Sequence, residues 1–182
     1  MRTFIAVEID RTLCNRLAAI QQDCGISNPV MRWVKPDRMH LTLRFLGEIN
    51  AASVTDVTRA MQNASEGVEP FDIQFKGLGF FPNASKPRVF WVGIMDPDKT
   101  LEILVRSLEL ELLKIGFERD RKAFRPHLTL ARIRDGVPGG LEVSGEKDKL
   151  YGQQCVSAIK LFMSELKPQG PIYTPLSVVK LQ

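Results

Sequence analysis

The chain is poor in the residues that mark several function classes. It has three cysteines in 182 residues, Cys14, Cys24 and Cys155, and no Cys-x-x-Cys pair. An odd, unpaired set does not suit a secreted disulfide framework and reads as inert thiols in a reducing cytosol. It has only two histidines, His40 and His127. That number, without paired cysteines, gives no zinc-ligand spacing, so neither a metal nor another cofactor is expected. No apolar run approaches the ~18 residues of a membrane helix. The run Phe4–Val7 is interrupted by Glu8 and is too short for a signal peptide. A soluble, cytoplasmic protein without a membrane partner is expected. Neither charge sign dominates: 25 Lys and Arg oppose 21 Asp and Glu, for a net charge of +4. Hydrophobic residues at 44% and charged residues at 25% exclude disorder and a collagen-like fibre.

What is present is concentrated. Both histidines sit in the same tetrapeptide, His-Leu-Thr-Leu, at 40–43 and 127–130. The charge gathers around these motifs. Met31–Glu48 holds Arg32, Lys35, Arg38 and Arg44 against Asp37 and Glu48, net +2. Phe117–Arg134 holds Arg119, Arg121, Lys122, Arg125, Arg132 and Arg134 against Glu118 and Asp120, net +4. Basic charge around two copies of one motif favours an anionic ligand.

The motifs have matching surroundings. Short β-type runs ending in Asp, Phe4–Asp10 and Phe90–Asp96, precede them. Each run is followed by a helical stripe. Leu13, Leu17 and Ile20 form one, with Asp10 as N-cap and Gly25 past the end. Leu101, Leu104, Val105, Leu108, Leu112 and Ile115 form the other, with Gly116 past its end. Val54, Val57 and Met61 predict a short helix, and Phe71–Phe75 alternates as a strand. Arg134–Lys149 reads as a loop or weak helix, and Val156–Leu166 and Ile172–Val179 as strands. Asn83–Pro87 and Lys167–Pro171 are turn-like. The expectation is an internal duplication: one α+β domain over 1–182 with two pseudo-symmetric lobes. Each lobe would be an antiparallel sheet with helices outside, built as strand–helix–strand–helix or loop–strand, around a central cleft.

On a strand, side chains at i and i+2 share a face. His40 and Thr42 would face the cleft with Leu41 and Leu43 behind, and His127 and Thr129 would match them. Two imidazoles and two hydroxyls around one small anion suit phosphoryl chemistry. A neutral imidazole can take a proton from attacking water, and a protonated one can give a proton to the leaving alkoxide. Threonine hydroxyls can bind non-bridging phosphate oxygens. The symmetry of the motif leaves open which histidine is acid and which is base.

Paired H-x-T-x motifs half a chain apart resemble the two-histidine (2H) phosphoesterase superfamily. Further segments carry the likeness to its RNA 2′,3′-cyclic phosphodiesterases, also called 2′–5′ RNA ligases. They are Arg2–Val7, Arg32–Pro36, His40–Gly47, Lys76–Gly79, Pro87–Gly93, Phe124–Arg132 and Gly170–Thr174. The resemblance implies a bilobal α+β fold. It implies hydrolysis of an RNA terminal 2′,3′-cyclic phosphate to a 2′-phosphate, without a metal, with His40 as proton donor and His127 as proton acceptor. Thr42 and Thr129 would bind phosphate. The implied partner is an RNA end, and some members join tRNA halves through a 2′–5′ linkage. No protein partner is evident, and a monomer is expected.

The other residues are read on their own. Arg132 follows the second motif as in the family and is a candidate contact to phosphate or an adjacent nucleotide, but a regular strand would put it on the face opposite His127 unless a bulge intervenes. Arg44 has the parity to reach the cleft. Phe45 and Phe124 are expected to pack in the core in preference to stacking on a base, Trp91 is expected in the core, and Tyr173 at the cleft edge. Two alternatives stay open: a phosphodiesterase for 2′–5′ oligonucleotides or small nucleoside cyclic phosphates, and a non-catalytic RNA-end binder. Binding alone needs no acid/base pair, which argues against the binder.

Overall fold

A computed structural model of the chain describes residues 1–23, 31–134, 146 and 148–182. Cys24, Gly25 and most of Arg134–Lys149 lie outside the described residues. Nine strands and three helices are described: β1 (Arg2–Glu8), α1 (Arg11–Asp23), β2 (Met31–Trp33), β3 (His40–Glu48), α2 (Ser53–Ala64), β4 (Phe71–Phe81), β5 (Val89–Met95), α3 (Thr100–Lys114), β6 (His127–Ile133), β7 (Leu150–Val156), β8 (Ala158–Lys167) and β9 (Gly170–Lys180). Elements recur at a fixed offset: β1 and β5 cover 2–8 and 89–95, β3 and β6 begin at 40 and 127, and β4 and β8 begin at 71 and 158.

The fold is α+β with two antiparallel sheets, ordered β3-β1-β8-β9 and β2-β6-β5-β4-β7. Strand membership differs from the expected lobes. β4, from the first half, pairs in the sheet of the second motif, and β8, from the second half, pairs with β1. Each half thus lends its late strand to the other sheet. β1 has only β3 from its own half, and β8 supplies its second edge. Alternation in a sequence marks a strand but not the sheet it joins, so this exchange left no signal. β2 and β7 have no clear sequence signal either: β2 has three residues, and β7 directly follows the Gly-rich stretch.

The strands place apolar residues on one face. Ile5, Val7, Leu41, Leu43, Val92, Leu128, Leu130 and Leu161 join helix residues Leu13, Leu17, Val57, Met61, Leu104 and Leu108 in one core. At ~25 cal/mol per Å² of apolar area buried, such a core is the main stabilising term. α2 packs on β9 and α3, while α1 packs on β7. The start of α3 is fixed by Asp96, whose carboxylate accepts the Leu101 amide at 2.5 Å, one of the orphan donors of a first turn. The turn at 83–86 forms because the Asn83 side chain accepts the amides of Ser85 and Lys86 at 3.1 and 3.0 Å. Among the described residues, no helix is long and apolar enough to cross a membrane.

A second apolar cluster lies apart from this core. Phe4, Ala6 and Phe162 are buried together with Tyr173 packed on them. Their strand parity is opposite to that of Ile5, Val7 and Leu161, so they line the other face of the first sheet. The two sheets approach each other where β3 meets β6.

Candidate active site

His40 and Thr42 are half-buried on β3, while Leu41 and Leu43 between them are in the core. The same alternation holds for His127, Thr129, Leu128 and Leu130 on β6. The apolar partners anchor each strand by its back face, which leaves the polar pair on the front. Cross-strand partners confirm the shared face: Glu8 and Ala6 lie opposite His40 and Thr42, and Gly93 and Trp91 lie opposite His127 and Thr129.

Each imidazole is held in the same way. His40 Nδ1 lies 2.9 Å from the Arg38 carbonyl, and His127 Nδ1 lies 2.6 Å from the Arg125 carbonyl. A backbone carbonyl only accepts, so each Nδ1 carries a hydrogen and donates it. In the neutral ring Nε2 then keeps the lone pair, and that is the nitrogen available to a ligand.

Aromatic rings fix the orientation. Phe4 lies against His40 with centroids 4.7 Å apart, and Tyr173 meets it edge-on at 5.0 Å. Phe81 meets His127 edge-on at 4.9 Å and packs against Trp91 at 5.0 Å. Burial among these rings disfavours the imidazolium. His40 is pushed down to about 4, chiefly by burial; the Arg38 carbonyl opposes the shift and the Arg132 charge adds to it. His127 is lowered by the same three influences, burial first, with Arg125 as its carbonyl partner. Tyr173 is raised by burial, against the opposing charges of Arg132, Arg38 and Arg2. One guanidinium, Arg132, therefore acts on both histidines and on Tyr173.

Arg132 reaches this space through a bulge. Trp91 pairs with Thr129 but Phe90 with Ala131, so Leu130 is an extra residue and the parity of β6 changes after it. Arg132 lies opposite Val89, on the face of Trp91, His127 and Thr129. A regular strand would have turned it away.

An equivalent bulge in β3 corrects the reading of Arg44. Ala6 pairs with Thr42 but Ile5 with Arg44, so Leu43 is the extra residue. Arg44 shares a face with Ile5, away from the cleft. Its side chain is only 11% exposed and forms ion pairs with Glu109 on α3 and with Asp120, the latter at 3.6 Å. It also donates to the carbonyls of Phe45, at 2.8 Å, and Glu118. Phe45 takes the place on the cleft face that parity gave to Arg44. It lies opposite Phe4, with ring centroids 6.0 Å apart, and is 55% exposed. Phe45 is therefore not a core residue, whereas Phe124 does pack against the core.

Trp91 is also corrected: it is half-buried on the cleft face, outside the core. A Cβ on Gly79 would fall 2.4 Å from its ring, so only glycine lets the indole lie flat there. Tyr173 stands at the cleft edge, as expected. Phe4 and Phe81, which support the two imidazoles, were not singled out in the sequence; their apolar runs gave no sign of which face they line. Among the described residues, no group of three or more His, Cys, Asp or Glu is placed to hold a metal. The arrangement presents two neutral imidazoles, each with Nε2 free of the backbone carbonyl, beside two threonine hydroxyls, with the Arg132 charge acting on both rings.

The chain is similar to known proteins along its whole length. The LigT-like phosphoesterase family matches the chain twice, over residues 7–91 and 92–173. The RNA 2′,3′-cyclic phosphodiesterase of Methanothermobacter thermautotrophicus is 35% identical over 187 residues, which cover 100% of this chain and 99% of the relative. That of Archaeoglobus fulgidus is 33% identical over 180 residues, covering 98% and 99%. A Thermus thermophilus protein of known crystal structure superposes with a TM-score of 0.83 at 29% identity, covering 100% of this chain and 98% of that one.

Proposed function

From the premise that the chain belongs to the LigT-like phosphoesterase family, we propose that its cleft hydrolyses the 2′,3′-cyclic phosphate at an RNA end to a 2′-phosphate. His127 Nε2 takes a proton from water as the water oxygen bonds to phosphorus. The P–O3′ bond breaks, and His40, whose imidazolium the bound phosphate anion favours over the free protein's neutral ring, gives its proton to O3′. Thr42, Thr129 and Arg132 bind the non-bridging oxygens, whose charge grows in the transition state. Acid, base and charge stabilisation all come from side chains, so the reaction needs no metal ion. With an RNA 5′-hydroxyl in place of water, the same displacement would join it to the cyclic end through a 2′–5′ bond, His127 taking the hydroxyl proton and His40 giving its proton to O3′. The same reading takes residues 1–182 as one bilobal domain made by duplication, acting as a monomer; the double match of one family supports the duplication.

The observation that carries the proposal is the mirrored pair of Nδ1–carbonyl bonds. Both rings present Nε2 in the same manner, and one arginine charge reaches both. A binding module has no use for two basic nitrogens held in this way.

His40→Ala and His127→Ala test the proposal. Each is expected to lower kcat by at least about 10³-fold while product affinity changes by less than about tenfold. Loss of binding in step with turnover would support the RNA-end binder instead.

A further inference from the structure

Arg32 stands directly opposite Arg132 across the β2–β6 ladder. Its neighbours show which face this is. Met31 lies opposite Ile133 and both are buried, whereas Arg32 and Arg132 are both exposed. The bulge after Thr129 that brings Arg132 onto the cleft face therefore brings Arg32 there as well. Two like charges directly opposite on adjacent strands repel one another. No carboxylate among the described residues forms a salt bridge with either of them. An anion lying between the two guanidiniums turns the repulsion into attraction.

The two arginines are placed for different phosphates. Arg132 acts on His40, His127 and Tyr173, so it belongs to the reacting phosphate. Arg32 lies one strand further out, about 4.8 Å away in the pairing direction, at the edge of the sheet. An RNA whose terminal cyclic phosphate sits between the histidines carries its next phosphate one ribose away, on O5′ of the same nucleotide.

We propose that Arg32, beside Arg132 at the edge of the second sheet, binds the 5′-phosphate of the nucleotide that bears the cyclic phosphate. This rests on the reading of the cleft given above and deepens it. The site then distinguishes the end of an RNA chain from a free nucleoside cyclic phosphate, because only the former has a phosphate at that position. Guanidinium suits the task, since its planar fork meets two phosphate oxygens at once.

The test compares Arg32→Gln and Arg32→Lys with the wild type on two substrates: adenosine 2′,3′-cyclic phosphate, and the same compound carrying a 5′-phosphate. For the wild type, the 5′-phosphate is expected to raise kcat/KM about tenfold or more. Arg32→Gln is expected to remove that advantage, and Arg32→Lys to keep part of it. The salt dependence of binding to a short RNA with a 2′-phosphate end should lose about 0.7 in log–log slope in Arg32→Gln. An equal loss on both substrates, or an unchanged ratio, overturns the proposal. If the wild type turns over neither substrate, the phosphodiesterase reading fails. The Arg32 inference is then decided by whether Arg32→Gln weakens binding of adenosine 2′,5′-bisphosphate more than that of adenosine 2′-monophosphate.

Discussion

Phe45 and Arg132 occupy the same place in the two halves of the molecule. Each is the fifth residue after its motif histidine, and each follows a bulge at the second leucine of His-Leu-Thr-Leu. On one wall of the cleft this place holds an exposed aromatic ring, on the other a guanidinium. The two motif strands thus differ where they would meet different parts of a nucleotide: an aromatic face suits a base, a guanidinium suits a phosphate. Phe45→Ala is expected to raise KM for an RNA substrate about 5- to 160-fold, the range of a lost base–aromatic stack of ~1–3 kcal/mol. Phe45→Tyr should retain most of the affinity. Steady-state kinetics on one oligonucleotide check both.

Arg44 carries the opposite expectation. Its guanidinium is enclosed by Glu109, Asp120 and two carbonyls on the far face of β3. Arg44→Ala would leave Glu109 without its partner, at a cost of about 2–3 kcal/mol. Denaturant unfolding should show that loss, while kcat/KM of the folded variant stays within about twofold. A large fall in kcat/KM without a loss of stability would place Arg44 in the cleft after all.

These two residues show what the sequence made legible. The motifs, their strand setting and the facing of each His-Thr pair follow from alternation, and the helical stripes mark α1, α2 and α3 without ambiguity. The bulges do not announce themselves equally. In β6 the adjacent apolar residues Leu130 and Ala131 break the alternation before Arg132, and that doublet is a sign of changed parity. In β3 the extra residue is followed by a charged one, so the pattern looks regular and points the wrong way for both Arg44 and Phe45. In the sequence Arg32 is one basic residue among several around the first motif; its strand has three residues, and its role depends on pairing with a strand about a hundred positions away. Strand exchange between the sheets was equally hidden, since it is a choice of partner and not of local conformation.

The histidines give a pH signature. In the ligand-free protein both rings lie below their ordinary value, His40 at about 4. The unfolded chain binds the proton more readily there, so folding stability should fall as pH drops from about 6.5 towards about 4. An anion in the cleft favours the imidazolium and raises both values. NMR titration of the two ring resonances should find His40 near 4 in the free protein and at least about one unit higher with adenosine 2′-monophosphate bound. Ordinary values near 6.5 in the free protein would contradict the buried setting.

Gly79 tests the second wall. A methyl group there would meet the Trp91 ring at 2.4 Å, and the indole must move. Trp91 packs on Phe81, which packs on His127. Gly79→Ala should therefore change tryptophan fluorescence, cost about 1–3 kcal/mol in stability, and lower kcat about tenfold or more. Unchanged kcat alongside altered fluorescence would show that the ring stack does not position His127.

The central claim is that two histidines alone supply the acid and the base for opening a cyclic phosphate. Its most direct test is incubation of the protein with an RNA ending in a 2′,3′-cyclic phosphate, in the presence of excess EDTA, followed by identification of the product end. The account predicts complete conversion to a 2′-phosphate at an undiminished rate. A 3′-phosphate product, or activity abolished by the chelator, would contradict it.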